Sequence, residues 1–249
     1  MSGKLLVPYV TGGIRPDWTG YVEAYAHSGA DMIEIGLPFS DPILDGPTIQ
    51  QASYRALQQG ATVRSILDDL AGVHVDVPLI AMTYYNLVMH DPAFCADLAA
   101  AGVSGLIVPD VPIDEVDELA AGATAAGVDL VLLAAPTTPA PRLATIARRS
   151  RRFVYAVSVM GTTGERDRLA EDAARLARDL RALTDLPVLL GFGISRPAHA
   201  VEAAEAADGV VVASALMRMV LDGADPAQVG AVVAEFRAAL DGVGVPIPG

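Results

Sequence analysis

The stretch IEIGLPFSDPILDGPTIQ, residues 33–50, opens in the apolar strand run DMIEIG (31–36) and continues as a Gly/Pro-rich loop; it carries three carboxylates, Glu34 in the strand and Asp41 and Asp45 in the loop. Strand side chains alternate between two faces. Ile33 and Ile35 therefore share one face, and Met32, Glu34 and Gly36 share the other. The isoleucine pair suits the outside of a barrel, where helices pack. Glu34 then points into the barrel, near its top. The remainder of the stretch has too many glycines and prolines for a regular helix.

The same pattern recurs along the chain. The strand runs are LLVPYV (5–10), DMIEIG (31–36), PLIAMTYY (78–85), GLIVPD (105–110), DLVLLAA (129–135), FVYAVS (153–158), PVLLGFG (187–193) and GVVVAS (209–214). Ala-rich helical stretches lie between them, such as 16–30, 91–102, 113–127, 167–184 and 197–207. Strands alternating with helices mean a parallel sheet with crossovers. Eight such units in 249 residues predict a closed (β/α)8 barrel, an α/β fold, as one domain over 1–249. An open doubly wound sheet is the alternative, but the turn after the first strand, TGGIRPD, lacks its GxGxxG signature. Pro226 to Leu240 reads as one extra helix.

Composition removes several function classes. The chain is 52% hydrophobic, with a net charge of −13, so it does not read as a nucleic-acid binder. The basic cluster RRSRR (148–152) reads as a solvated helix end before a strand. Cys95 is the sole cysteine, which leaves no internal disulfide and no CxxC knuckle. No apolar run reaches the roughly 18 residues of a membrane span, and the start is too short for a signal peptide. A soluble cytoplasmic protein is the expectation.

In a (β/α)8 barrel the site lies at the carboxyl ends of the strands. Strand-end residues such as Tyr9, Glu34, Tyr84, Asp110, Tyr155, Gly193 and Ser214 are thus candidates. Lys4, the only lysine, precedes the first strand and belongs to the opposite face, so a Schiff-base mechanism is not expected. His27, His74, His90 and His199 read as surface or packing groups, and none makes a pair with metal-ligand spacing. Carboxylates, tyrosines and backbone amides remain, a set suited to proton transfer on a small molecule. A buried, unpaired Glu34 would have its pKa raised towards neutrality, as acid/base work requires. Asp45 and Asp41 read from spacing as turn or cap residues, or as further site acids. Asp110, between prolines, reads as a loop brace or a site acid. The turns GTTGE (161–165), GFGIS (191–195) and ASALM (213–217) close the chain. Gly193 permits close backbone approach, and Ser214 can start a helix whose N–H groups favour an anion. Together they suggest a phosphorylated substrate.

IEIGLPFSDPILDGPTIQ, VPDVP (108–112), VYAVSVMGTTG (154–164) and GFGIS occur in one order through nearly the whole chain. This series resembles the tryptophan synthase α subunit family, for which E-x-G-x-P-[FY]-S-D-P-x-x-D-G-P is highly specific. The resemblance implies a TIM barrel that cleaves indole-3-glycerol phosphate into indole and glyceraldehyde 3-phosphate, a retro-aldol reaction without metal or Schiff base. By position, Glu34, Asp45 and Tyr155 resemble the catalytic residues. Glu34 would be the acid/base at indole C3 and the glycerol hydroxyl. Asp45 would accept a hydrogen bond from the indole N–H, and Tyr155 would lie beside the glycerol chain. Tyr9, Ile49, Met82, Tyr84 and Ile107 match the indole pocket, with Asp110 and Thr163 also on the substrate. Gly164, Gly193, Ala213 and Ser214 match the phosphate cradle. Pro38 and Asp41 would contact a β subunit in an α2β2-type assembly. No cofactor is expected on this chain, and pyridoxal phosphate would belong to the β partner.

The sequence departs from the family at three places. The usual helix before strand one is lacking, since that strand begins by Leu5. Ala213 stands where Gly is common, and Val159 where some members carry a basic residue. Two other readings stay open: a stand-alone lyase releasing free indole, and a catalytically idle subunit that activates its partner.

Overall fold

The computed structural model describes residues 3–157, 166–191 and 193–243. Strands and helices alternate from the first described element. They run β1 (Leu5–Thr11), α1 (Thr19–His27), β2 (Ile33–Gly36), α2 (Pro47–Gln58), α3 (Val63–Leu70), β3 (Leu79–Met82), α4 (Tyr85–Val88), α5 (Phe94–Ala100), β4 (Val103–Ile107) and α6 (Asp117–Ala126). Then follow β5 (Asp129–Ala134), α7 (Ala140–Arg149), β6 (Val154–Ala156), α8 (Arg166–Arg181), β7 (Val188–Leu190), α9 (Pro197–Ala206), β8 (Gly209–Val212), α10 (Ser214–Leu221) and α11 (Pro226–Asp241). Each strand pairs in parallel with the next, and β8 closes on β1. All eight expected strands are present. From β3 to β8 the apolar runs continue past the ends of the strands, into the loops that carry the site.

The alternation read in β2 holds. Ile33 and Ile35 belong to the large outer core, packed with helix residues such as Tyr25 and Ile66. Met32 joins Val7, Ile80, Ile107, Leu189 and Val211 in a separate inner core. The register pairs Tyr9 with Glu34 and Glu34 with Ile80, so these side chains form one layer across β1, β2 and β3.

The N-terminal end of the barrel is filled from β6. Arg152 has φ 64°, the one positive value at a non-glycine among the described residues. Such a conformation strains an L-residue and persists only where the surroundings hold it. Here the Arg152 guanidinium pairs with Asp129 at 2.8 Å and reaches Ser104 Oγ at 3.3 Å. The tight turn brings the Phe153 N–H to the Arg151 carbonyl at 2.7 Å. Phe153 is thereby delivered, fully buried, into the inner core. The RRSRR run is a helix end, as expected: Arg151 donates to the carbonyls of Arg148, Arg149 and Ser150, closing α7.

Candidate active site

Glu34 sits on β2 inside the barrel with 2% of its surface exposed. Its Oε2 is buried and has no hydrogen-bond partner among the described residues. An ionised carboxylate in that position is costly. Burial first, and then the charge of Asp45, push the Glu34 carboxyl up to about 8. Asp45 lies half-buried on the loop between β2 and α2. Burial raises it to about 6, partly offset by the neighbouring Tyr84 hydroxyl. Two acids thus have separated pKa values: near pH 7 one holds its proton and the other is ionised.

Three tyrosines complete the surroundings. Tyr9 and Tyr155 are buried phenols whose pKa values burial raises, and each also feels the charges of both Glu34 and Asp45. The two acids and two phenols therefore bound one space. The Tyr9 hydroxyl lies 3.2 Å from Thr11 Oγ1. Neighbouring strands leave room for both rings: a Cβ on Gly36 would fall 1.8 Å from the Tyr9 hydroxyl, and one on Gly191 would fall 2.2 Å from the Tyr155 ring. Tyr84, just past β3, stacks on Phe39 with ring centroids 5.1 Å apart. Its hydroxyl accepts the Leu44 N–H at 3.0 Å and so ties down the loop that carries Asp45.

Ile49 (first turn of α2) and Ile107 (end of β4) are buried, and Met82 (end of β3) is half-buried. They supply apolar wall. Asp110 is exposed and accepts the Tyr85 N–H at 2.7 Å, bracing the start of α4, which is the loop-brace reading of the sequence. At the phosphate end, Ser214 is the exposed first residue of α10. Ala213 caps that helix with φ −116°, outside the left-handed region that favours glycine, so φ at this position does not call for glycine. Gly193 is exposed with φ 62°, on the turn after β7, whose neighbour is β8. Thr163, Gly164 and Val159 lie outside the described residues. Pro38 is buried, whereas Asp41 is exposed and accepts a hydrogen bond from Ser40.

Residue reasoning from the sequence did not pick out Thr11, Phe39 or Gly191. Gly36 was placed on the same face as Glu34, but its role in admitting Tyr9 depends on a neighbouring strand. For Gly191, the sequence signal was a glycine at the end of a strand run, where a neighbour must come close.

A family model described as tryptophan synthase alpha chain matches residues 1–240. A tryptophan synthase alpha chain from Picosynechococcus is 44% identical over 239 residues, covering 93% of this chain and 90% of the relative. One from Methanosarcina mazei is 46% identical over 207 residues, covering 82% and 76%. Among solved structures, ligand-free tryptophan synthase from M. tuberculosis matches with TM-score 0.85 and 36% identity, covering 96% of this chain and 94% of that one. The tryptophan synthase α2β2 complex from Pyrococcus furiosus matches with TM-score 0.86 and 36% identity, covering 96% and 100%. With the family model spanning nearly the whole chain and the barrel matching these structures, the chain belongs to the tryptophan synthase alpha chain family.

Proposed function

We propose that the chain cleaves indole-3-glycerol phosphate to indole and glyceraldehyde 3-phosphate as a tryptophan synthase α subunit. The observation that carries the chemistry is Glu34: a carboxyl inside the barrel, with an oxygen that no group among the described residues engages, held protonated near neutral pH. Protonated Glu34 delivers its proton to indole C3. Positive charge then develops on the ring and is met at the indole N–H by ionised Asp45. The Glu34 carboxylate next takes the proton from the glycerol hydroxyl next to C3. As that carbon becomes the aldehyde carbonyl, its bond to C3 breaks and the electron pair returns to the ring. One proton enters and one leaves, so Glu34 is regenerated. Tyr155, a neutral phenol in this environment, serves as hydrogen-bond donor to the glycerol chain. Tyr9, Ile49, Met82, Tyr84 and Ile107 hold the indole, and Gly193, Ala213 and Ser214 receive the phosphate. Thr163 and Gly164 are assigned to the same site by the family resemblance alone.

The partner we infer is a tryptophan synthase β subunit, which would carry pyridoxal phosphate. Support comes from the loop between β2 and α2. It presents exposed Asp41 and two of the few exposed large apolar side chains among the described residues, Ile43 at 80% and Leu44 at 57%. Such apolar groups on a loop above the site suit a protein interface. Among the described residues no helix is long and apolar enough to cross a membrane, and we infer a cytoplasmic location. The test is indole release by the purified chain, with and without a β subunit. Cleavage that rises when β is added supports the α-subunit reading. Absence of cleavage in both conditions contradicts it.

A further inference from the structure

Among the four histidines, His199 alone is built into the phosphate end of the barrel. It is the third residue of α9. Its Nε2 lies 2.7 Å from Arg196 Nε. Its Nδ1 lies 3.2 Å from the Gly193 carbonyl oxygen and 3.2 Å from Ser195 Oγ. A guanidinium nitrogen donates and cannot accept, so Nε2 must be the acceptor. The network thus assigns a proton to Nδ1. A carbonyl can only accept, so that proton's direction towards Gly193 is consistent. One side chain thus fastens the backbone at 193, the hydroxyl at 195 and the guanidinium at 196.

The peptide plane carries the effect further. The Gly193 carbonyl and the Ile194 N–H point in opposite directions across one rigid unit. Drawing the carbonyl back towards α9 aims the Ile194 N–H away from α9. It also keeps a carbonyl dipole, which would repel an anion, from swinging out of the turn. Gly193 itself, at φ 62° with nothing within 4 Å of its Cβ position, has no side chain that could hold the turn instead.

We propose that His199 is a positioning residue for phosphate recognition, locking the Gly193–Ser195 turn in the shape that receives the substrate's phosphate. This rests on the phosphate reading of the β7 and β8 turns given above. His199 does not touch substrate; it acts through the turn.

The experiment measures kcat and KM for indole-3-glycerol phosphate, and inhibition by inorganic phosphate, in wild type, His199→Leu, His199→Gln, Arg196→Ala and Gly193→Asp. Loss of the clasp in His199→Leu is expected to raise KM about tenfold and to weaken phosphate inhibition by a similar factor, with kcat within about twofold of wild type. His199→Gln is expected to restore both, because an amide can accept from Arg196 and donate to Gly193. Arg196→Ala, which frees one side of the ring, is expected to give a smaller KM increase. It keeps the inference testable if His199→Leu fails to fold. Gly193→Asp separates the two claims. If it raises KM while folded His199 and Arg196 variants leave KM and phosphate inhibition unchanged, the phosphate reading stands and the role of His199 is refuted. If Gly193→Asp changes neither quantity, the phosphate reading itself fails. A His199→Leu variant that loses kcat and thermal stability at constant KM would show a merely structural role and overturn the proposal.

Discussion

The Tyr84 hydroxyl accepts the Leu44 N–H at 3.0 Å, joining residues forty positions apart. This bond fixes the β2–α2 loop to the end of β3 one residue before Asp45. Tyr84 is itself held by stacking on Phe39. The placement of an acid on a Gly/Pro-rich loop therefore depends on a phenol from another strand.

Replacing that phenol tests the dependence. Tyr84→Phe keeps the stacked ring and removes the acceptor. We predict a fall in kcat of about threefold to tenfold, the scale of one lost hydrogen bond. Because the Tyr84 hydroxyl offsets the raised pKa of Asp45, the acidic limb of the pH profile should also move to higher pH. A variant with unchanged kcat and profile would mean the loop is placed by other contacts.

The separated acids predict a bell-shaped pH profile. Asp45 must be ionised to meet charge on the indole ring, so kcat/KM should fall as pH drops below about 6. Glu34 must hold a proton to donate it, so kcat/KM should fall as pH rises above about 8. A profile flat from pH 5 to 9 would contradict the assignment.

The same carboxyl makes a prediction about stability. The folded pKa of Glu34 lies above its ordinary value of 4.5. The unfolded chain thus releases this proton first, and the folded state loses stability as pH climbs from about 4.5 towards about 8. Glu34→Gln abolishes that loss. Its melting temperature relative to wild type should increase steadily over this interval, by an amount on the order of a few kcal/mol when expressed as stability. A difference that does not vary with pH would place the Glu34 carboxyl in a less costly environment.

Gly191 gives a steric test. A methyl there would sit 2.2 Å from the Tyr155 ring, so Gly191→Ala should cost roughly 1–3 kcal/mol in stability and lower kcat by displacing Tyr155. Gly122→Ala is the control. That position, inside α6, has nothing within 4 Å, and alanine should stabilise the helix slightly. Equal effects of the two substitutions on kcat, read by indole release, would remove Tyr155 from the account.

The strands were legible because their apolar runs are local, and alternation within six residues sufficed to turn Glu34 inwards. Asp45 was different: spacing alone left it a turn residue, and only the family resemblance singled it out. Tyr84 was named as pocket wall, yet its hold on Leu44 spans two strands and leaves no local pattern. His199 read as a surface or packing histidine because its partners at 193, 195 and 196 become neighbours only when the turn after β7 folds back on α9. The same holds for Gly36 and Gly191, whose use lies in the ring of an adjacent strand.

The most direct test of the central claim is single-turnover indole release from indole-3-glycerol phosphate by Glu34→Gln, compared with wild type at pH 7 under conditions where both proteins are fully folded. The amide keeps the shape and removes the transferable proton. We predict a rate lower by about 100-fold to 10,000-fold, the usual contribution of a positioned acid/base, with substrate binding retained. A Glu34→Gln protein that released indole at the wild-type rate would contradict the role given to Glu34.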